Sequence, residues 1–289
     1  MRIGMVGIGL MGHGIATNLQ KHGHELALFE HPGNQPLDGL LSGGAKTYST
    51  LPSLAKAADL IILVLTGSPQ VEAVLAGPGG LLESLNPGTV IVDCSTSLPE
   101  STKAISKKVQ AAGGRWLDAP MTRTPKEAAE GRLNLLVGGD SALLAEVMPV
   151  LKCFAENILH AGAISAGHSM KLLHNYVSMG MVALLAEAAA CSTRSGVAPE
   201  VFVDVLAKGG GGGIALERIK PFLLAGDVSG LRFSIANARK DLGYYGEMAK
   251  QADAAHTLAD AVLATLEIGL AKKPDGLMPE LAALLGPGK

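Results

Sequence analysis

The stretch "MRIGMVGIGLMGHGIATNLQKHGHELALFE", residues 1–30, decides the fold. It opens on "RIGMVGIG", a short apolar run that reads as a strand. A glycine-rich turn follows, then "LMGHGIATNLQKHG", in which Leu10, Ile15 and Leu19 recur at helical spacing. "HELALFE" then alternates as a second strand. Strand, turn, helix and strand in about thirty residues make a βαβ unit. Gly7, Gly9 and Gly12 stand in it as G-x-G-x-x-G. In such a unit Gly7 permits the tight turn and Gly9 lets a pyrophosphate approach the backbone. Gly12 lets the helix pack close to the strand, and the helix N-terminus offers N–H groups to the phosphates.

Three spaced glycines alone are equally a plain turn. Here they follow a strand, open a helix, and precede an acid, Glu30, at the end of the second strand, which points to dinucleotide binding. Glu30 would accept hydrogen bonds from the adenosine ribose and repel a 2′-phosphate. That favours NAD(H) and leaves NADP(H) open, because a protonated His31 would soften the repulsion.

Further strand-like runs occur at 59–66, 88–96, 114–120 and 133–139, with helical segments near 50–58, 69–76 and 99–112. This alternation predicts a mainly parallel, doubly wound Rossmann sheet with helices on both faces. Ligands bind beyond the carboxyl ends of such strands, where Leu65, Thr66, Ser95, Thr96 and the segment after Pro120 lie. From about residue 163 the pattern is helical. One long helix ending near Gly196 is expected to join the halves, then helices at "PEVFVDVLAK", "IALERIKPFLLAG", "SIANARKDLGYYGEMAKQA" and "TLADAVLATLEIGLAKK". The five glycines 209–213 read as a hinge or as a close packing point. The expected architecture is α/β, with a Rossmann domain over 1–162 and an all-α domain over 163–289 for substrate and oligomerisation. The closing "GPGK" is expected to be loose.

Composition bounds the function. Of 289 residues, 48% are hydrophobic and 17% charged, so a large core can be buried. Net charge is −2 with no basic block, which removes electrostatic support for nucleic acid or an anionic membrane as partner. The three cysteines, Cys94, Cys153 and Cys191, lie far apart in no metal-ligand spacing. A reducing, cytoplasmic setting is expected. The apolar N-terminus reads as strand and glycine turn rather than signal peptide. "YVSMGMVALLAEAAAC", interrupted by Glu187, reads as a buried helix rather than a membrane span.

Lys171, His174, Asn175 and Ser178 fall at i, i+3, i+4 and i+7 of the long helix and share one face. That face is either merely solvated or a site in which Lys171 is a general acid/base with an amide beside it. Partial desolvation favours the neutral amine and eases proton exchange with a substrate hydroxyl.

These residues carry a resemblance. The chain resembles the β-hydroxyacid dehydrogenases, the group of 3-hydroxyisobutyrate dehydrogenase and tartronate semialdehyde reductase, from residue 1 to about 285. The motifs are "GIGLMGHGIATNL", "DCSTSLPES", "GRWLDAPMTRTPKEAAEG" and "GHSMKLLHN", with "KDL" at 240–242. The resemblance implies a nicotinamide cofactor and a homodimer or homotetramer formed through the helical part. It implies Lys171 as the catalytic lysine, Asn175 as its companion, Leu10, Met11, Leu65, Thr66 and Thr96 as cofactor contacts, and Lys240 closing over the cofactor.

Family members read "PVSGG" where this chain has "PMTRT", residues 120–124. Thr122 replaces the serine, and Arg123 and Thr124 replace the glycines that cradle a substrate carboxylate. A branch resembling the sulfolactaldehyde reductases carries such an Arg-Thr pair, with an arginine that meets a sulfonate. That branch matches Ser178 but has asparagine where this chain has His174. Arginine offers a planar, permanently charged fork that suits sulfonate, phosphate or carboxylate. Arg123 therefore either anchors the anionic head of a small hydroxy acid or aldehyde, or lies beside Glu127 at i+4. Thr122, Thr124 and Ser178 would add donors. His174 either helps or satisfies a helix-face hydrogen bond. Ser95 falls beside the nicotinamide by position, and Cys94 is a small filler. The expected reaction is NAD(H)-dependent interconversion of a small anionic hydroxy acid and its semialdehyde. A non-catalytic dinucleotide sensor and an imine-reductase-like enzyme are the alternatives.

Overall fold

The computed structural model describes residues 1–286; the expectation of a loose end at Pro287–Lys289 lies outside them. The chain divides into two compact units, Met1–Lys171 and Leu172–Lys289.

The first unit begins β1 (Arg2–Val6), α1 (Leu10–Lys21), β2 (Glu25–Phe29), α2 (Asp38–Ser42), β3 (Lys46–Tyr48), α3 (Leu51–Ala57) and β4 (Leu60–Leu63). It continues α4 (Ser68–Ala76), β5 (Val90–Asp93), α5 (Pro99–Ala111), β6 (Arg115–Asp118), β7 (Met121–Thr122) and α6 (Pro125–Ala129). Then come β8 (Leu133–Gly139), α7 (Ser141–Leu151) and β9 (Ala155–Gly162). Spatially the strands run β3-β2-β1-β4-β5-β6-β8-β7, with β9 paired to β8. The pairs from β3 through β6 are parallel. β8 runs antiparallel to β6 and β7 and parallel to β9.

The central strands are apolar without interruption because both faces are covered. Ile3 and Met5, Leu60 and Ile62, and Val90 and Val92 pack with Ile15, Ala16 and Leu19 of α1. Their alternates Val6, Ile61, Leu63 and Ile91 pack with Leu54 of α3, Val71 and Leu75 of α4, and Ile105 and Val109 of α5. The helical spacing that groups Leu10 with Ile15 and Leu19 is corrected here: the latter two are buried but Leu10 is 65% exposed. Five residues of helix turn it about 140° away from Ile15.

Elements of this unit absent from the sequence reading are β3, β7, β9, α2, α6 and α7. β9, "AENILHAG", is mostly exposed and shows no apolar alternation to betray it. α7 carries Pro149 in its interior.

α8 (Ala166–Arg194) runs unbroken through 29 residues. The second unit adds α9 (Pro199–Lys208), α10 (Ile214–Ala225), α11 (Ile235–Gln251), α12 (Thr257–Lys272) and α13 (Leu281–Leu285). Its core joins Met179, Val182, Ala183 and Ala186 to Leu216 and Ile219, Ala238 and Leu242, and Leu266. Expected as a buried helix, α8 is buried on that face only. Leu173, Val177, Met181 and Leu184, at i, i+4, i+8 and i+11, are exposed on another. By length and composition alone α8 would also suit a bilayer. Within the glycine run, a Cβ on Gly211 would meet Leu206 of the preceding helix at 2.7 Å, and Gly213 takes φ +135° ahead of α10.

A carboxylate ties the start of α8 to the sheet. Asp118, fully buried at the end of β6, accepts from Ser165 N–H at 2.8 Å and His168 N–H at 3.1 Å. It satisfies donors that the helix start leaves open and places negative charge at the positive end of the helix dipole. Asp118→Ala is expected to cost about 3 kcal/mol, because two buried N–H groups lose a charged acceptor. Asp118→Asn should cost less; urea unfolding followed by circular dichroism reads both.

Candidate active site

The glycine-rich turn is built against backbone. Gly7 has φ +92°, and a Cβ there would lie 2.2 Å from Val64 O. A Cβ on Gly12 would lie 2.0 Å from Gly7 O, so the start of α1 rests directly on the turn. A Cβ on Gly9 would meet nothing within 4 Å: the turn is open on that side. Gly9 is the N-cap of α1, with no side-chain cap and no acid in the first turn. The open face at a helix N-terminus fits a pyrophosphate. Leu10 is exposed and Met11 half-buried beside it.

Glu30 is exposed just after β2, and its N–H donates to Tyr48 O at 2.9 Å. His31 Nδ1 accepts from Gly33 N–H at 3.0 Å. Asn34 was not anticipated. Its Oδ1 accepts from Ile8 N–H at 3.2 Å and its Nδ2 donates to Phe29 O at 2.9 Å. Gln35 N–H adds a bond to Ile8 O at 2.8 Å, so the loop after β2 holds the glycine turn in place.

Beyond β4 and β5 lie Leu65 and Thr96, both half-buried, and the exposed Thr66. Ser95 is 2% exposed, and its Oγ accepts from Leu65 N–H at 2.9 Å. Its hydroxyl joins the turns after β4 and β5 instead of lining an open surface, because the loops after adjacent parallel strands end at the same level. Asp93 Oδ1 accepts from Ser95 N–H at 2.9 Å. Burial pushes the Asp93 carboxyl above its ordinary range, with nearby His168 opposing. Burial also pushes the Cys94 thiol up, which suits a filler and not a nucleophile. Lys171, half-buried, lies one turn along α8 from His168. Nothing in the sequence reading marked Asp93, Asp118 or His168.

In the second unit Asn175 is 4% exposed. Its Nδ2 donates to Asp241 Oδ2 at 2.6 Å, and its Oδ1 meets Nδ1 of the exposed His174 at 3.0 Å. Lys240 Nζ pairs with Asp241 Oδ1 at 3.0 Å and lies 5.5 Å from the Tyr244 ring centroid. Asp241, missed in the sequence, thus holds both Asn175 on α8 and Lys240 on α11. Its place beside Lys240 in "KDL" is the signal that would have found it. Ser178 is half-buried one turn beyond.

In the first unit, Thr122 on β7 accepts from Asn134 Nδ2 at 3.0 Å. Arg123 has φ +81°, a left-handed conformation that glycine adopts freely. Its guanidinium pairs with Glu156 and donates to Arg132 O. The alternative pairing of Arg123 with Glu127 does not form. Glu127 caps α6 instead, accepting from Thr124 N–H at 3.0 Å and Thr124 Oγ1 at 2.5 Å. The Thr124 hydroxyl bond holds the Glu127 carboxyl below its usual range.

Comparisons with known proteins agree with this architecture. The family model for the NAD binding domain of 6-phosphogluconate dehydrogenase matches residues 2–162. The model for the NAD-binding region of NADP-dependent 3-hydroxyisobutyrate dehydrogenase matches residues 165–277. The 2-(hydroxymethyl)glutarate dehydrogenase of Eubacterium barkeri is 32% identical over 87% of this chain and 83% of its own length. The 3-sulfolactaldehyde reductase of Escherichia coli is 32% identical over 86% of this chain and 83% of its own length. The solved structure of Mycobacterium tuberculosis 3-hydroxyisobutyrate dehydrogenase with L-serine superposes with a TM-score of 0.88 at 25% identity, covering 98% of both chains. Glycine turn, doubly wound sheet, helical second unit and relatives together assign the chain to the β-hydroxyacid dehydrogenase family, as an NAD(P)-dependent oxidoreductase acting on CH–OH donors.

Proposed function

We propose that this protein interconverts a small anionic 3-hydroxy acid or hydroxy sulfonate and its semialdehyde. Lys171 is the general acid/base and Arg123 the anchor of the anionic head. The observation that carries the reading is the placement of Lys171. It stands one turn after a buried ring that bonds the Ser95 carbonyl, within the same compact unit as the Ser95–Thr96 turn.

A nicotinamide bound at that turn supplies or accepts the hydride. The chain's residues do the rest. Gly9 and the first N–H groups of α1 receive the pyrophosphate, flanked by Leu10 and Met11. Leu65, Thr66 and Thr96 border the nicotinamide side, and Lys240 closes over the dinucleotide. The carboxylate of Glu30, with no arginine following it, favours NAD(H) over NADP(H). The Lys171 ammonium gives a proton to the substrate oxygen in reduction, and the neutral amine takes it back in oxidation. Asn175, braced by Asp241, orients the lysine or the substrate oxygen. Ser95, Thr122, Thr124, His174 and Ser178 are secondary contacts. Of these, Ser95 and Thr124 already spend their hydroxyls on Leu65 and Glu127 and act chiefly by shaping the loops. A second copy of the chain, as homodimer or homotetramer, would cover Leu173, Val177, Met181 and Leu184. The three free cysteines fit a cytoplasmic setting.

Lys171→Ala is expected to lower turnover by about 10²–10⁴-fold while NADH affinity, read by fluorescence, barely changes. Unchanged turnover would remove Lys171 from the chemistry. The assay pairs 3-hydroxyisobutyrate and L-serine, in oxidation, with 3-sulfolactaldehyde, in reduction.

Gly9→Ala is expected to leave unfolding within about 0.5 kcal/mol of the parent, since the added methyl meets no protein atom. It should still weaken NADH binding by about tenfold or more, on the scale of one charged hydrogen bond. Gly12→Ala should fail the opposite way, through the fold.

At position 123 glycine should be more stable than alanine by about 1 kcal/mol, because alanine keeps the left-handed penalty and glycine does not. Both variants should lose the preference for sulfonate over carboxylate. An unaltered ranking of the three substrates would sink the anchor role.

A further inference from the structure

His168 is a polar ring enclosed in the first unit, 0% exposed, in the first turn of α8. Its Nε2 faces acceptors: Ser95 O at 3.2 Å and Asp93 Oδ2 at 3.8 Å. A ring nitrogen bonded to a carbonyl must carry the hydrogen, because a carbonyl can only accept. Its Nδ1 lies 2.7 Å from Thr102 Oγ1, which also reaches Leu98 O at 3.1 Å. Asp93 Oδ2 is buried with no hydrogen-bond partner. The ring is therefore held from the end of β5, from the first turn of α5 and from the start of α8 at once.

The fold does not call for this arrangement. Asp118 already receives the start of α8, and the sheet is closed by its own ladders. An apolar side chain would fill the space without enclosing a ring, a carboxylate and a hydroxyl. What the ring adds is a fixed link from Ser95 to α8. Ser95 is also bonded to Leu65 N–H through its hydroxyl and to Asp93 through its own N–H. The turns after β4 and β5 thus move with the helix turn that bears Lys171.

We propose that His168 is a positioning residue for the reaction. Its Nε2–H bond to Ser95 O and its Nδ1 contact with Thr102 lock the cofactor-side turn to the segment carrying the Lys171 amine. The distance between hydride donor and proton donor is then set inside one unit. Asp93 serves the ring as a buried counter-group: burial disfavours its charge and the His168 ring favours it. The proposal rests on the reading of Lys171 as proton donor and of Ser95–Thr96 as the nicotinamide side.

The test uses the full chain with three substitutions and two kinds of readout. His168→Leu fills the space but makes no bond. His168→Gln keeps an amide N–H for Ser95 O. Thr102→Val removes only the Nδ1 partner at constant shape. In the free protein, ¹⁵N-histidine NMR should show one ring N–H exchanging slowly with solvent, absent in both His168 variants and altered in Thr102→Val. With NAD and 3-hydroxyisobutyrate, or NADH and 3-sulfolactaldehyde, His168→Leu should lower kcat by about 10–100-fold, the scale of a misplacement near 1 Å. KM and the NADH dissociation constant should stay within about threefold, which is under one kcal/mol of binding. His168→Gln should recover most of the lost kcat. A folded His168→Leu protein with parental kcat overturns the proposal. So does a His168→Gln protein as slow as His168→Leu, or a His168 ring N–H that exchanges like an exposed one. If His168→Leu does not fold, Thr102→Val decides the same question, with a several-fold loss of kcat expected and none overturning. Lys171→Ala runs alongside. Retained turnover there fells the functional reading; lost turnover there with normal His168 variants fells this proposal alone.

Discussion

A single carboxylate governs where α8 begins. Asp118 sits at the last position of β6 and takes the N–H groups of Ser165 and His168 on its two oxygens. Bringing a helix start that close to a strand end leaves no room for side chains between them. A Cβ on Gly138 would lie 2.5 Å from Asp118 Oδ2, and one on Gly167 would lie 2.3 Å from Leu136 O and 2.8 Å from Asp118 Oδ2. Asp118, Gly138 and Gly167 are thus one solution to one problem: backbone meeting backbone around a buried charge, with every donor answered. Lys171 inherits its place from that solution, because a helix fixed at its first turn is fixed at its second.

The glycine turn, after the carboxyl end of the central strand β1, obeys the same logic. Gly7 and Gly12 are excluded from carrying side chains by carbonyl oxygens, whereas Gly9 is open because its neighbour is not protein. Two glycines serve packing, and the third leaves an open backbone face, the one proposed above to receive the pyrophosphate. The loop at Asn34 and Gln35 then clamps Ile8 between them, so the phosphate side and the ribose side of the cofactor site are mechanically joined through Phe29 and Ile8.

Much of this was legible in the chain itself. Strands buried on both faces read as apolar runs, and β1, β2, β4, β5, β6 and β8 announced themselves that way. Helices α1, α3, α4, α5 and α8 to α12 followed from period and punctuation. What stayed hidden had no periodic signal. β3 and β7 are three and two residues long, and β9 is largely exposed. The site divided along similar lines. Glycines, Lys171 and Asn175 stand in motifs with fixed local spacing. Asp93, Asp118, His168 and Asp241 stand inside the same motifs but matter through contacts made across 47 to 75 residues, which local spacing does not encode. Arg123 was visible as a residue but not as a conformation: its pairing with Glu156, 33 residues on, displaced the nearer Glu127 because Glu127 is spent on the cap of α6.

That conformation bears on why an arginine stands there at all. A non-glycine residue at φ +81° loses about 1–2 kcal/mol to its own Cβ. Its ion pair with Glu156 joins side chains 27% and 45% exposed, a setting in which such pairs return about 0–1 kcal/mol. Its bond to Arg132 O offsets part of that strain, so the fold gains little from arginine over a glycine at this position. A strained residue from which the fold gains little points to a role outside it. The guanidinium suits that purpose by its chemistry: a permanent, planar charge on a loop between β7 and α6. Such a fork reaches further than backbone donors and accommodates a bulkier, tetrahedral anion. On the proposal that Arg123 anchors the substrate's anion, sensitivity to the head group, rather than raw rate, is the property this loop would set.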